Sequence, residues 1–209
     1  MAVGAAEKSE SGAMAAHIAR VAARLFAARG YDATPVQAIV QAAGVTKPTL
    51  YYHFGSKEGL ARALVTDPIN RLVATLRAIL DGPGDGVARL EAMAEAHFAF
   101  MREDPDRSRF LYALFFGPLA TGLAAELARV ADAMCDLDIE AARRLAEAGI
   151  IDPGRADDWV KALRGMIVTR TMGHLYKGED LGPDLARRLV GDLLWGFAGP
   201  GMRERGAGP

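Results

Sequence analysis

The sequence predicts an all-α fold, in which an N-terminal three-helix module of helix-turn-helix form is followed by a longer C-terminal helical bundle. Three observations carry this. Apolar residues recur at helical spacings along most of the 209 residues, and no stretch alternates at the two-residue period of a strand. Breaks containing Gly or Pro fall at Gly82 to Gly86, Asp104-Pro105, Gly117-Pro118, Gly149 to Gly154 and Gly178 to Gly182, and they cut the second part into helix-length pieces. Finally, the stretch from Thr34 to Leu60 reads as two short helices around one tight turn.

The elements follow in order. Ile18, Val21, Ala22, Leu25 and Phe26 stand at i, i+3, i+4, i+7 and i+8 and form one apolar stripe, with Gly30 closing that helix. Thr34 is placed to cap a second helix opening at Pro35, and Gln37 three residues on completes a capping box. Gly44 in Ala43-Gly44-Val45 is the left-handed residue that ends it. Thr46 caps a third helix whose first turn holds Pro48, where a missing amide donor is harmless. Val36, Ile39, Val40, Val45, Leu50 and Phe54 supply the face that packs these helices together. Ser56 caps a fourth helix, with Lys57 at its first position and free amides that attract a phosphate. This helix should run to about Thr66, with Asp67-Pro68 either kinking it or starting a segment that ends near Leu80. Further helices are expected over Val87 to Arg102, Asp106 to Phe116, Leu119 to Ala148, Arg155 to Tyr176 and Pro183 to Phe197.

The third helix carries the functional clue. Thr46, Lys47, Thr49, Tyr51, Tyr52 and His53 all donate hydrogen bonds, and beyond the Thr46 cap none is needed for helicity. Donors of this kind hold a protein on the phosphate backbone, while the first-turn side chains of a helix in the major groove reach base edges. Lys47 matches guanine, and the Pro48 ring or the Thr49 methyl matches the methyl group of thymine. The partner these residues point to is double-stranded DNA.

The stretch from His17 to Leu60 resembles the N-terminal domain of the TetR/AcrR transcriptional regulators. The resemblance lies in the combination of Leu25-Phe26, Gly30-Tyr31, Ala43-Gly44-Val45, Thr49-Leu50-Tyr51-Tyr52-His53-Phe54 and Ser56-Lys57-Glu58, and it covers roughly the first quarter to third of the chain. It implies that Gln37, Lys47, Pro48 and Thr49 meet bases, and that Thr46, Tyr51, Tyr52, His53 and Lys57 hold phosphates. Val40 stands where the family usually has alanine, and residues 1–12 lack the basic cluster that some members carry.

Charge and composition agree with a regulator. Net charge is −1, but residues 1–62 hold seven Lys+Arg against four Asp+Glu, and the remainder holds 18 against 22. A basic head on an acidic body suits DNA contact through one face. The single Cys135 precludes an internal disulfide and fits a reducing, cytoplasmic setting. No run of 18 apolar residues and no export leader is visible, so neither a membrane span nor secretion is expected.

Phe98, Phe100, Met101, Phe110, Tyr112, Phe115 and Phe116 lie within twenty residues of one another in the body. Such side chains usually form core. The family resemblance adds a small-molecule effector held between these helices, with His97, Phe100, Phe110, Tyr112, Phe116, Met134, Met166 and His174 as candidate lining. An apolar site with few polar handles favours a hydrophobic or aromatic ligand. In the last two helices Trp159, Leu163, Met166, Ile167 and Val168, then Leu185, Leu189, Val190, Leu193, Leu194, Trp195 and Phe197, exceed one narrow stripe. They predict a two-fold homodimer built on a four-helix bundle. Such a dimer sets two reading helices in successive major grooves, about 34 Å apart, on a palindromic operator. An effector that shifts the fourth helix then releases the DNA, with Pro68 as a hinge candidate.

No catalytic constellation, metal set or cofactor motif is expected. His97 with Glu91 and Glu95 is the nearest cluster, and the glycine-rich loop Gly82 to Gly86 lacks the strand and lysine of a phosphate cradle. The chain thus divides into a flexible arm over 1–13, a DNA-binding domain over 14–62, an effector-binding and dimerisation domain over 63–200 and a flexible tail over 201–209.

Overall fold

A computed structural model describes residues 3–117 and 123–196, with side chains from residue 11 onward. Among these residues the chain forms ten α-helices and no strand. They are α1 (Val3–Arg29), α2 (Val36–Ala43), α3 (Lys47–Phe54), α4 (Lys57–Leu64), α5 (Thr66–Leu80), α6 (Gly86–Glu103), α7 (Pro105–Phe116), α8 (Ala124–Glu147), α9 (Ala156–Lys177) and α10 (Leu185–Trp195), with one turn of 3-10 helix at Pro153–Arg155 before α9. The helices divide between two units, Met1–Ala74 with Glu103–Met134, and Thr75–Arg102 with Cys135–Pro209.

The first unit is built on the stripe predicted for α1. Ile18, Val21, Ala22 and Phe26 are all buried. α7 lies along them, with the Phe110 ring 4.8 Å from Phe26 and 6.4 Å from Tyr31. Each fully buried phenylalanine contributes about 1.5–3 kcal/mol through the area it removes from water. Ile39 and Val40 of α2 and Leu50 of α3 close the other side. His17 of α1 donates from Nε2 to the Ala43 carbonyl at 3.0 Å and so satisfies an open acceptor at the end of α2. Gly44 ends α2 at φ 65°, with its amide on the Gln41 carbonyl and that of Val45 on Val40.

Several expectations change. Thr34 is fully buried and does not cap α2; its hydroxyl donates back to the Gly30 carbonyl at 2.8 Å and Leu25 at 3.4 Å. The N-cap position falls to Pro35, and no side-chain cap forms, so the capping box with Gln37 is absent. The Gly30 carbonyl, open just past the end of α1, competes for the hydroxyl, and burial gives it the advantage. The interruption expected at Asp67-Pro68 lies at Val65, whose φ of −121° and ψ of −65° separate α4 from α5. Pro68 therefore sits in the first turn of α5, where its missing amide is harmless, and it makes no break. α1 is already helical at Val3, inside the stretch expected as a flexible arm. The expected tail at 201–209, Phe197 and the stretch 118–122 lie outside the described residues.

The second unit packs Leu76 and Leu80 of α5, Leu90 and Phe98 of α6, Leu137 and Leu145 of α8, Leu163 of α9 and Leu189 of α10. Two arginines bind carbonyls within it. Arg144 donates to the Leu80 carbonyl at 2.7 Å and to Asp81 at 2.6 Å, closing the C-terminal end of α5 with positive charge. Arg102 donates to the Leu181 carbonyl at 2.6 Å and to Glu95 at 2.5 Å, tying α6 to the α9–α10 connection.

Candidate nucleic-acid interface

The turn between α2 and α3 fixes which face of α3 is free. Thr46 has extended backbone, and its Oγ1 accepts from the Thr49 amide at 3.3 Å, so α3 starts at Lys47 with Pro48 in its first turn. Leu50 is fully buried and locks the helix rotation. Lys47 and Pro48 are consequently exposed, Tyr52 is 80% exposed and Tyr51 44%, while Thr49 and His53 are half-buried. The Thr46 and Thr49 hydroxyls share one hydrogen bond at 2.8 Å, so one of the two protons remains for an outside acceptor. The Tyr52 and His53 rings meet edge to face at 5.1 Å. Gln37 is exposed on the first turn of α2.

Gly55, at φ 72°, turns the chain into α4, where Ser56 Oγ accepts from the Gly59 amide at 2.9 Å. A side chain at Gly59 would strike the Phe54 carbonyl oxygen at 2.0 Å, so α3 and α4 can approach this closely only with glycine there. Lys57 opens α4, and its Nζ lies 4.2 Å from the centre of the Tyr31 ring and 6.0 Å from that of Phe26. Burial against these rings pushes the Lys57 ammonium below its ordinary value, and the Asp32 charge opposes this. All nine residues expected at DNA thus lie on α2, α3 and α4 or their caps, within the first unit.

The eight candidate effector residues divide between the units. Phe110, Tyr112, Phe116 and Met134 belong to the first, and His97, Phe100, Met166 and His174 to the second. Phe110 is core, held by Phe26 and Tyr31, while Phe116 is 71% exposed and stacks on Tyr112 at 5.7 Å. His174 donates from Nδ1 to the Glu179 carbonyl at 2.8 Å. His97 is buried and donates from Nδ1 to Met93 at 2.9 Å. Burial pushes its imidazole below the usual range against the attraction of Asp138. Asp138 is buried beside it and receives Arg164 at 2.9 Å. Burial pushes the Asp138 carboxyl up, and His97 and Arg164 pull it back. Asp138 and Arg164 were not among the residues singled out from sequence; the available signal was one carboxylate on the buried face that Leu137, Ala141 and Ala142 define. Another missed pair is Arg62 of α4 with Glu126 of α8. Among the described residues, no group of three or more His, Cys, Asp or Glu is set to hold a metal, and no helix is long and apolar enough to cross a membrane.

A buried stripe on α1, two short helices around the turn at Gly44 and an outward row of donors define a helix-turn-helix DNA-binding regulator. Residues 18–64 match the family of bacterial regulatory proteins, tetR family. The chain is also 30% identical over 191 residues to an uncharacterized HTH-type transcriptional regulator of Bacillus subtilis, YdgC, covering 89% of this chain and 93% of that protein. The chain belongs to the tetR family, and it is a regulator rather than an enzyme. It is 37% identical over 91 residues to the transcriptional activator FasR of Mycolicibacterium smegmatis, and 37% over 78 residues to the repressor KstR2 of Mycobacterium tuberculosis. These matches take in 44% and 37% of this chain, and span 42% and 39% of those two proteins. Among solved structures, the TetR family regulator PfmR of Thermus thermophilus superposes with a TM-score of 0.71 at 26% identity, over 87% of this chain and 99% of that one. FadR of Bacillus subtilis, solved in complex with stearoyl-CoA, reaches 0.70 at 16% identity over 87% of this chain and 98% of that one, a likeness of fold alone.

Proposed function

We infer that the protein is a ligand-responsive repressor that binds a palindromic operator as a homodimer and is released by a small hydrophobic or aromatic effector. The observation that carries this is the face of α3, where buried Leu50 leaves Lys47, Pro48, Tyr51 and Tyr52 outward as one unbroken row. Gln37, Lys47, Pro48 and Thr49 read bases, and Thr46, Tyr51, Tyr52, His53 and Lys57 grip phosphates. Trp195 of α10, 64% exposed, and Tyr176 of α9, 59% exposed, support a partner for these two helices. A repressor among the relatives supports the sign of regulation. The same fold holding stearoyl-CoA in another protein supports an apolar effector. His97, Phe100, Met166 and His174, all in the second unit, remain its candidate contacts, whereas Phe110 in the first unit is core.

Selection from a random duplex pool tests this reading. Enrichment of a palindrome with half-sites about one helical turn apart is expected, and Lys47→Ala should change the recovered sequence rather than merely weaken binding. Failure to enrich any sequence, or a monomer mass by light scattering at micromolar concentration, would remove the operator or the dimer respectively.

A further inference from the structure

We propose that Tyr31 is a positioning residue for DNA binding: its ring holds the Lys57 ammonium ready for a phosphate, and Phe110 of α7 holds the ring. This rests on the reading of Lys57 as a phosphate contact. A lysine at the start of a helix is a point charge on a flexible four-carbon stem, and a phosphate contact must order that stem. Here it is ordered in advance. Lys57 Nζ stands 4.2 Å from the Tyr31 ring centre, and the ring is backed by Phe26 at 5.3 Å and Phe110 at 6.4 Å, the latter stacked within 18°. Phe26 and Phe110 are both buried, so Tyr31 leans on a fixed floor.

The choice of partner matters. Among the described residues no carboxylate forms a salt bridge with Lys57, and Asp32 acts on its charge only from a distance. A carboxylate would hold the ammonium but also neutralise it, whereas an aromatic face attracts a cation through its quadrupole and carries no net charge. The ring therefore fixes the position and leaves the charge for an anion. Neither the helix nor the linker needs this contact locally: α4 is capped by Ser56 and anchored by buried Leu60, and Tyr31 contributes only its carbonyl to the turn, accepting from the Thr34 amide at 3.2 Å.

The test uses the 209-residue chain and a random-sequence duplex of about 30 base pairs, which reports phosphate contacts without an operator. Anisotropy titrations over a salt series give the slope of log affinity against log salt. Lys57→Ala should flatten this slope by about 0.9 for each Lys57 that meets the duplex, about 1.8 for the homodimer. Tyr31→Leu should flatten it in the same direction and weaken binding about two- to fivefold per engaged protomer at fixed salt, while Tyr31→Phe should match the parent. In the Lys57→Ala background, Tyr31→Leu should leave the slope unmoved. An unchanged slope in Lys57→Ala would overturn the phosphate reading and the positioning with it. If Lys57→Ala flattens the slope and Tyr31→Leu does not, or if Tyr31→Leu acts equally without Lys57, the phosphate reading stands and the positioning role falls. The parent protein supplies a check that no variant's folding can spoil: the Lys57 ε-methylene protons should resonate upfield through the ring current of Tyr31, and random-coil positions would overturn the proposal.

Discussion

The Nε of Arg62 donates to both carboxylate oxygens of Glu126, at 2.8 and 2.9 Å, and so fastens α4 to α8 inside the first unit. The pair is partly exposed, with Arg62 at 44% and Glu126 at 22% side-chain accessibility, and a pair in that setting adds little to global stability. Its effect should be local. Glu126→Gln is expected to leave the melting temperature nearly unchanged while speeding amide hydrogen exchange in Lys57–Leu64. Equal protection of α4 in both proteins would show that the pair restrains nothing.

The ring seam should behave differently. Phe26 is fully buried against Phe110, so Phe26→Ala should cost about 3–5 kcal/mol, and Phe110→Ala a similar amount. The two changes share a contact and should not add: a coupling of about 0.5–1.5 kcal/mol is expected from the ring pair. Urea unfolding of both single variants and the double variant measures it, and strict additivity would contradict the packing.

Thr34 and Gln37 separate cleanly. Thr34→Val removes the donor of the Gly30 carbonyl from a fully buried site and should cost about 1–3 kcal/mol in thermal unfolding. Gln37→Ala touches no cap and should change stability by less than about 0.5 kcal/mol, while altering base preference in duplex selection. A large stability loss from Gln37→Ala would revive the capping box.

His97 sets a pH dependence. In the unfolded chain its imidazole takes a proton near pH 6.5, about the ordinary value, but the native protein resists, because burial holds the ring neutral with Nδ1 on Met93. The unfolded state then binds more protons. Stability should therefore be intact above about pH 6.5 and fall on acidification towards the lowered native value. Asp138, pushed up by the same burial, works in the opposite sense at lower pH, since the native state protonates it sooner. His97→Gln cannot protonate and should flatten the decline seen in chemical unfolding as the pH falls below about 6.5. An unchanged slope would place the dependence elsewhere.

The legible parts of this molecule were local ones. Thr46 over Thr49, Gly44 in the left-handed region and Ser56 over Gly59 each join residues at most a few positions apart, and side-chain type reveals them. Thr34 misled because its real partners, the carbonyls of Leu25 and Gly30, lie behind it, in the last turns of α1 and just past its end. The break at Val65 has no glycine or proline to announce it. Asp138 and Arg164 are 26 positions apart, and no spacing rule joins them. Within the aromatic run, only the docking of α7 on α1 decides that Phe110 becomes core while Phe116 stays out.

That docking also bears on how the gene can be recombined. The first unit is assembled from Met1–Ala74 and Glu103–Met134, two stretches separated in the chain. A swap of N-terminal segments between relatives, cut after α4 or within α5, would bring one parent's α1 against the other parent's α7. The Phe26–Phe110 seam would then join rings never selected together. Chimeras that keep both stretches from one parent should fold more often, because the folding unit that carries the helix-turn-helix is a discontinuous module rather than a detachable head.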